Sequence, residues 1–317
     1  MDSSPTLVVQ VPAYNEAENL ATTLADIPRE IPGVGRVLVL VIDDGSTDDT
    51  ARVANEAGAD KVVRFPTNRG LALAFQRGLQ EAVAMGADVI VNFDGDNQYP
   101  GDRIPDLAAP ILAGTADMVL GERDMTRIAH FSGAKKFLQR FGTRVVSRLS
   151  GVTCGDATTG FRAFSRETAQ SMYVASMFTY TLETLFWAGS RKLSVQSVTI
   201  ETRPKLRESR LFGSSFEYVL KSMVTIFRTS LRYRATALLA WLSLPLFLLG
   251  CGAIFRFLLY HFFWEPDGTG HVQSLVFAAV FVLVGVVLVA LGIQADSTST
   301  NRRLLEEILT LLRKKDE

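Results

Sequence analysis

Asp94, Asp96 and Gln98 stand at alternate positions in NFDGDNQYP, residues 92–100, where the strand-forming run DVIVNFD gives out. In extended chain, side chains at i, i+2 and i+4 share one face, so three oxygen donors are expected to converge on one point. An all-oxygen set suits Mg2+ or Mn2+, which proteins hold through one or two carboxylates and complete with substrate phosphates. Asp, Asn and Gly are also ordinary turn formers, so the pattern alone leaves a plain acidic turn open. A second acidic pair, Asp43 and Asp44, closes the apolar run VLVLVID and opens DDGSTDDT, where carboxylates can accept from base N–H groups or ribose hydroxyls. Ser46 is expected to cap the helix that follows, with Asp48 and Asp49 near its positive end. In PAYNE, residues 12–16, Asn15 is the expected helix cap, Glu16 lies in the first turn, and Tyr14 offers a flat face to a base.

One architecture brings these residues together. Short β-branched runs at 7–11, 37–43, 61–65, 88–94 and 117–122 alternate with helical periodicity at 16–27, 48–57, 70–85 and 104–113. Strands that are apolar on both faces and alternate with helices imply a mostly parallel sheet covered on both sides. Ligands of such sheets bind at the carboxyl ends of the strands. PAYNE, DDGSTDDT, NRGLA, GDNQY and GER each follow an apolar run.

The chain has 317 residues, is 48% hydrophobic, and carries 33 basic and 33 acidic side chains. That composition excludes a disordered chain and leaves information about partners to local charge. Cys154 and Cys251 lie in unlike surroundings, which argues against a disulfide framework or a thiolate metal site. MDSSPT lacks the basic and apolar regions of a secretory signal, so an intracellular protein is expected. Residues 235–255 and 274–293 carry no charge, and each has the roughly 20 residues a helix needs to cross a bilayer. With the turn-forming YHFFWEPDGTGH between them, they read as a transmembrane hairpin, two buried core helices being the alternative. Lys221, Arg228, Arg232 and Arg234 precede the pair and Arg302, Arg303, Arg313, Lys314 and Lys315 follow it, so the catalytic part and both termini are expected in the cytoplasm.

The expected boundaries are 1–213 for the catalytic domain, 214–234 for a juxtamembrane amphipathic helix, 235–296 for the two spans and 297–317 for a C-terminal cytoplasmic helix. The apolar face of that last helix is expected on the catalytic unit or on a second subunit, in a homo-oligomer. Lys136, Arg140, Arg144 and Arg148 recur in steps of four beside Phe137, Phe141, Val145 and Leu149. Such a basic amphipathic helix suits an anionic membrane surface, or else is a solvated face over a core. Basic patches set beside apolar stripes, without stacking aromatics, argue against nucleic acid.

Together, VPAYNE (11–16), IDDGSTDDT (42–50), NRGLALAFQRG (68–78), FDGDNQYP (93–100), GER (121–123), DATTGFRAF (156–164) and TYTLETLF (179–186) resemble glycosyltransferase family 2. Within it they look most like the polyprenyl- and dolichyl-phosphate hexose synthases. The resemblance implies an α/β catalytic domain of the GT-A fold, a Rossmann-like and mostly parallel sheet, followed by amphipathic interface helices and a two-helix transmembrane hairpin. It implies inverting transfer of one hexose from a UDP- or GDP-sugar to a polyprenyl phosphate, dependent on Mg2+ or Mn2+. By the same resemblance Asp96 and Gln98 bind the ion and Asp94 supports the metal or ribose. Pro12, Tyr14, Asn15, Glu16, Asp43, Asp44, Arg69 and Gly95 surround the nucleotide sugar. Arg123, Lys135 and a basic segment from Arg203 through Arg207 to Arg210 face phosphates. Asp156 and Glu183 orient sugar hydroxyls or serve as a base, with an ion pair as the structural alternative for Glu183.

The chain departs from the family pattern at Leu71 and Ala72, where related enzymes carry a Lys. It departs again at Gly121-Glu122-Arg123, in place of Gly-Ser-Arg, and at Asp94-Gly95-Asp96, in place of Asp-Ala-Asp. It has no Gln-x-x-Arg-Trp, which disfavours processive polysaccharide synthesis. The alternatives are a family 2 transferase with a glycolipid acceptor and a catalytically silent, nucleotide-binding membrane subunit.

Overall fold

Runs of Val, Ile and Leu form the strands of this chain, and Gly, Pro and Asp close them. A computed structural model describes residues 4–123, 133–174, 179–203, 215–264 and 272–316. The chain divides into two compact units, Met1–Ile226 with Leu312–Glu317, and Phe227–Leu311.

The first unit is built on a seven-stranded sheet: β1 (Thr6–Ala13), β2 (Arg36–Asp43), β3 (Lys61–Arg64), β4 (Val89–Asn92), β5 (Met118–Arg123), β6 (Arg162–Ser165) and β7 (Val195–Ile200). Their order is β3-β2-β1-β4-β6-β5-β7. β1 pairs in parallel with β2 and β4, and β5 with β7, as the alternation of strands and helices predicts. β6 was not expected as a strand, and it runs antiparallel to both β4 and β5. This reversal sets Arg162, its first residue, opposite Asn92 at the end of β4 and opposite Leu120 near the end of β5. The DATTGFRAF segment therefore enters the sheet at the edge where the parallel strands leave it.

Helices α1 (Leu20–Ala25), α2 (Thr50–Glu56), α3 (Leu71–Ala84), α4 (Ile104–Leu112), α5 (Gly133–Ser150), α6 (Arg166–Ser171) and α7 (Tyr180–Arg191) belong to this unit. One core cluster joins Leu7, Val9 and Val11 of β1 with Leu20 and Leu24 of α1 and Ile104, Leu107 and Ile111 of α4. In α3, Ala72, Phe75, Gln76, Leu79 and Val83 are buried at helical spacing. Among the described side chains of α5, Thr143, Val146 and Ser150 are buried. Phe141, expected on an apolar stripe, is 55% exposed, on the outer surface with Arg140, Arg144 and Arg148.

A buried polar thread crosses the sheet beneath the strand ends. Gln10 Nε2 donates to Asn92 Oδ1 at 2.8 Å, and Asn92 Nδ2 donates to Gly160 O and to Tyr180 Oη, each at 2.9 Å. The Tyr180 ring stacks on Phe75 with centroids 4.0 Å apart.

The second unit takes in the C-terminal part of α8 (Ser215–Tyr233), then α9 (Ala235–Leu259), a π turn at Tyr260–Trp264, and α10 (Val272–Asp316) up to Leu311. The segments Ala235–Phe263 and Gln273–Asn301 are long and apolar enough to cross a membrane, and only 11% and 17% of their most apolar windows are buried. That exposure is the reverse of what core helices show. Gly250 lies against Val282, Gly285 against Phe247 and Gly292 against Thr236, so the two helices run antiparallel with glycines at their closest approach. α10 has 45 residues, about 67 Å of helix, and continues through position 297 without a break. No Gly or Pro interrupts it there, and the Ser297, Thr298 and Thr300 hydroxyls bond back to the carbonyls of Ile293, Gln294 and Asp296.

Asn92→Ala is expected to strand Gln10 Nε2 in the interior, while Gly160 O keeps only the Tyr180 hydroxyl. The cost is about 2 kcal/mol, read as a lower midpoint in thermal unfolding of the full chain in detergent. An unchanged midpoint would show that the thread carries no stability.

Candidate active site

The loops after β1 and β2 satisfy each other's polar groups. Asn15 turns the chain at a φ of 53°, a left-handed conformation that Asn tolerates better than most residues. Its N–H donates to Ser46 Oγ at 2.9 Å, and its Oδ1 accepts from Thr47 N at 2.8 Å. Glu16 N donates to Thr50 Oγ1 at 2.9 Å. Neither Asn15 nor Ser46 is therefore the expected cap: α1 starts after Asn19 and α2 after Asp49, and Asp48 Oδ1 accepts from Thr50 N at 3.0 Å. Bonds between the two loops replace the local caps. Pro12 is buried beneath them, and Tyr14 is 42% exposed.

Asp44 holds the glycine loop before α3, with Oδ1 accepting from Arg69 N at 2.7 Å and Oδ2 from Gly70 N at 2.9 Å. Burial raises its carboxyl above the usual range, against the pull of those two amides. A side chain at Gly45, where φ is 71°, would collide with the backbone of Thr67 in that loop. Asp43 is fully buried; its Oδ1 accepts from Ser46 N at 2.9 Å and its Oδ2 lies 3.2 Å from Arg64 Nε. The Arg69 guanidinium stands over the Phe65 ring, 5.3 Å from the centroid.

Asp94, Asp96 and Gln98 are not aligned by a strand pleat. β4 ends at Asn92, and Asn97 has a φ of 56°, so the segment turns instead of extending. The turn folds Gln98 back onto Asp96: its N–H donates to Asp96 Oδ1 at 3.1 Å, and its carboxamide N–H donates to Asp96 Oδ2. Asp94 packs against Gly160, where a Cβ would lie 2.5 Å from Asp94 Oδ2 and 2.9 Å from Tyr180 Oη. Burial, then the like charge of Asp96, pushes the Asp94 carboxyl up to about 7 against Arg123, Arg162 and a hydrogen bond from Asn92. Among the described residues, no group of three or more His, Cys, Asp and Glu side chains forms a metal cage. Two opposed carboxylates completed by substrate oxygens are the arrangement a divalent cation would fit.

Across from them, Arg123 at the end of β5 grips Asp156. Its Nε donates to Asp156 Oδ2 at 2.6 Å, and its Nη2 donates to Asp156 Oδ1 at 3.2 Å and to Thr158 Oγ1 at 2.8 Å. Burial alone would raise the Asp156 carboxyl, but Arg123 and Thr158 outweigh it and hold the group below the usual range. Asp156 is thus the counter-ion that orients Arg123.

Glu122, at the departure from Gly-Ser-Arg, accepts from Gly155 N and Ser197 Oγ, each at 2.6 Å, and so braces the start of the same loop. Arg162 is fully buried and donates to the carbonyls of Ala157, Thr159 and Thr181 and to the Thr184 hydroxyl. The sequence reading gave no role to Arg162; a charge inside the apolar GFRAF was the available signal. Glu183 is 1% exposed in the first turn of α7. Arg203, expected at phosphate, is engaged by Asn97 Oδ1 and Asp26 Oδ1. The Lys135 side chain, Arg207 and Arg210 lie outside the described residues.

Residues 8–172 match the family model described as Glycosyl transferase family 2. Polyprenol monophosphomannose synthase of Mycolicibacterium smegmatis is 29% identical over 222 residues, covering 66% of this chain and 82% of that one. Dolichyl-phosphate hexose transferase of Haloferax volcanii is 30% identical over 211 residues, covering 65% of this chain and 86% of that one. Among solved structures, glucosyl-3-phosphoglycerate synthase from Mycobacterium tuberculosis, in complex with Mn2+, UDP and glucosyl-3-phosphoglycerate, matches with a TM-score of 0.55 at 22% identity, over 70% of this chain and 80% of that one. That likeness is one of fold.

The raised Asp94 carboxyl has a stability consequence. Its folded value of about 7 lies above the ordinary 3.8, so the folded state keeps a proton the unfolded chain has lost. The stability this group contributes is present below the ordinary value and is lost as pH rises through about 7. Asp94→Asn is expected to raise the thermal midpoint of the metal-free protein at pH 8 and to leave it nearly unchanged near pH 4. Equal shifts at both pH values would show that Asp94 is not strained by its ionisation.

Proposed function

This chain belongs to glycosyl transferase family 2, and we propose that it transfers one hexose from a UDP- or GDP-sugar to a polyprenyl phosphate at the cytoplasmic face of a membrane. The observation that carries the catalytic part is the opposition of Asp94 and Asp96 to the Arg123–Asp156 pair at one edge of the GT-A sheet. Support for a lipid acceptor comes from the two exposed apolar helices. It comes also from relatives described as a polyprenol monophosphomannose synthase and a dolichyl-phosphate hexose transferase. Arg228, Arg232 and Arg234 before α9 and Arg302 and Arg303 after the apolar part of α10 favour a cytoplasmic catalytic unit by the positive-inside rule.

Two anionic substrates have to meet in this site. Asp94 and Asp96 would hold Mg2+ or Mn2+, which would supply a Lewis acid for the departing nucleoside diphosphate. The Gln98 N–H groups fix the orientation of the Asp96 carboxylate. Arg123, locked by Asp156, brings a positive charge that does not vary with pH to the same edge. Lys135, Arg207 and Arg210 are assigned to the lipid phosphate on sequence grounds. Tyr14, Glu16 and Arg69 stand on the loops that would enclose the nucleotide, and Asp44 holds the Arg69 loop in place.

The acceptor phosphate carries about −1.5 to −2 charge at neutral pH, so its oxygen attacks without losing a proton to a protein base. That matches an Asp156 engaged by Arg123. The new bond forms between that oxygen and the anomeric carbon while the bond to the diphosphate breaks, and the electron pair leaves with the nucleotide. In-line displacement inverts the carbon, giving a β-linked product from an α-linked donor.

The test is incubation of the purified chain in detergent with polyprenyl phosphate, Mg2+ or Mn2+ and a panel of UDP- and GDP-hexoses, followed by mass spectrometry of the lipid fraction. One hexose added to the lipid phosphate and released by mild acid is expected; an acid-stable sugar on a glycolipid would point to the other acceptor class. EDTA is expected to abolish turnover, and Arg123→Met to lower kcat about 100-fold. Full turnover of folded Asp96→Ala in EDTA would remove the metal from the mechanism.

A further inference from the structure

The loop that carries Asp96 and Gln98 is pinned from outside by α1 and by Arg203, just beyond β7. Thr23 Oγ1 of α1 donates to Gly95 O at 3.1 Å, and Asp26 Oδ2, just past α1, accepts from Gly101 N at 2.5 Å. From beyond β7, Arg203 N donates to Gln98 O at 2.9 Å, and Arg203 Nη1 donates to Asn97 Oδ1 at 2.6 Å. Arg203 Nη2 also reaches Asp26 Oδ1 at 2.9 Å, so the two sides of the brace close on each other. Gly101 has to be glycine for this approach, since a Cβ there would collide with Asp26 O.

Two features show that the brace has a geometric purpose. The Arg203 and Asp26 side chains are 39% and 25% exposed, and ion pairs so open to water add little to stability. Arg203, however, bonds Asn97, the residue between Asp96 and Gln98, which is held at a φ of 56°, and Asp26 holds Arg203 and the Gly101 N–H at the far end of the same loop. A positive φ outside glycine persists where the surroundings over-determine it. If Asn97 relaxed to an ordinary conformation, the Gln98 N–H that faces Asp96 Oδ1 would swing away.

We infer that Arg203 and Asp26 are positioning residues: through Asn97 and Gln98 they set where Asp96 stands, and Arg203 is not one of the cations that meet the acceptor phosphate. This rests on the reading that Asp94 and Asp96 take a divalent cation.

Mn2+ binding, measured by electron paramagnetic resonance with UDP or GDP at saturation, tests it in the full chain, its Arg203→Met, Asp26→Asn and doubly substituted forms, and Asn97→Gly. Glycine adopts positive φ without strain, so Asn97→Gly loses the anchor without threatening the fold. Each single change is expected to weaken Mn2+ binding about tenfold. The double variant is expected to be no worse than either single one, because the pair acts as a unit. KM for polyprenyl phosphate is expected to stay unchanged.

Unchanged Mn2+ affinity in Arg203→Met and Asn97→Gly would overturn the inference, as would a raised lipid-phosphate KM with metal affinity intact. If the parent protein binds no Mn2+, the cation reading fails instead. Hydrogen exchange of the 95–101 amides in metal-free protein then decides the brace: faster exchange in Arg203→Met supports it, and unchanged exchange refutes it.

Discussion

Two carboxylates of like charge, Asp94 and Asp96, share one turn at the end of a buried strand, and the surrounding structure is arranged around that repulsion. Burial and Asp96 together raise the Asp94 acid, and Arg123 and Arg162 pull it back without cancelling the shift. Arg162 is a buried cation solvated mostly by backbone carbonyls, so its charge remains active beneath the site. Arg123 is different: Asp156 engages it in two hydrogen bonds, which fix the plane of the guanidinium. The site thus keeps a surplus of negative charge on one side and an oriented cation on the other.

The antiparallel β6 makes this possible. A fully parallel sheet would deliver only strand ends to the edge, whereas β6 delivers a strand beginning, with Asp156, Thr158 and Gly160 in the chain that leads into it. Gly160 lets Asp94 and Tyr180 close on the backbone. Tyr180, stacked on Phe75 and bonded to Asn92, ties α7 to the same point. Packing, polar satisfaction and charge therefore converge on a few residues from β4, β5, β6 and α7.

Much of this was legible in the sequence because it is local. The strands end where their apolar runs end, and the motif after each run lies at the carboxyl edge of the sheet, as a doubly covered parallel sheet requires. The GT-A class follows from those motifs in order. What was not legible depends on partners far away in the chain. Asn15 and Ser46 read as caps but bond across two loops. The two bonds Asp44 accepts come from the backbone of Arg69 and Gly70, a loop distant in the chain. The alternation at Asp94, Asp96 and Gln98 suggested a pleat, but the left-handed Asn97 breaks it, and a brace from Arg203 and Asp26 holds the resulting turn. Glu122 stood out as a departure from the family pattern, and only the fold supplies its partners, Gly155 and Ser197.

The proposed role of the Asp94–Asp96 turn is to hold a divalent cation against a nucleoside diphosphate. Anomalous scattering from Mn2+ in crystals grown with UDP or GDP tests it most directly. A peak is expected about 2.0–2.3 Å from a carboxylate oxygen of Asp96, with Asp94 alongside and diphosphate oxygens completing the sphere. A nucleotide bound with its Mn2+ elsewhere, or with both carboxylates turned away from the metal, would contradict it.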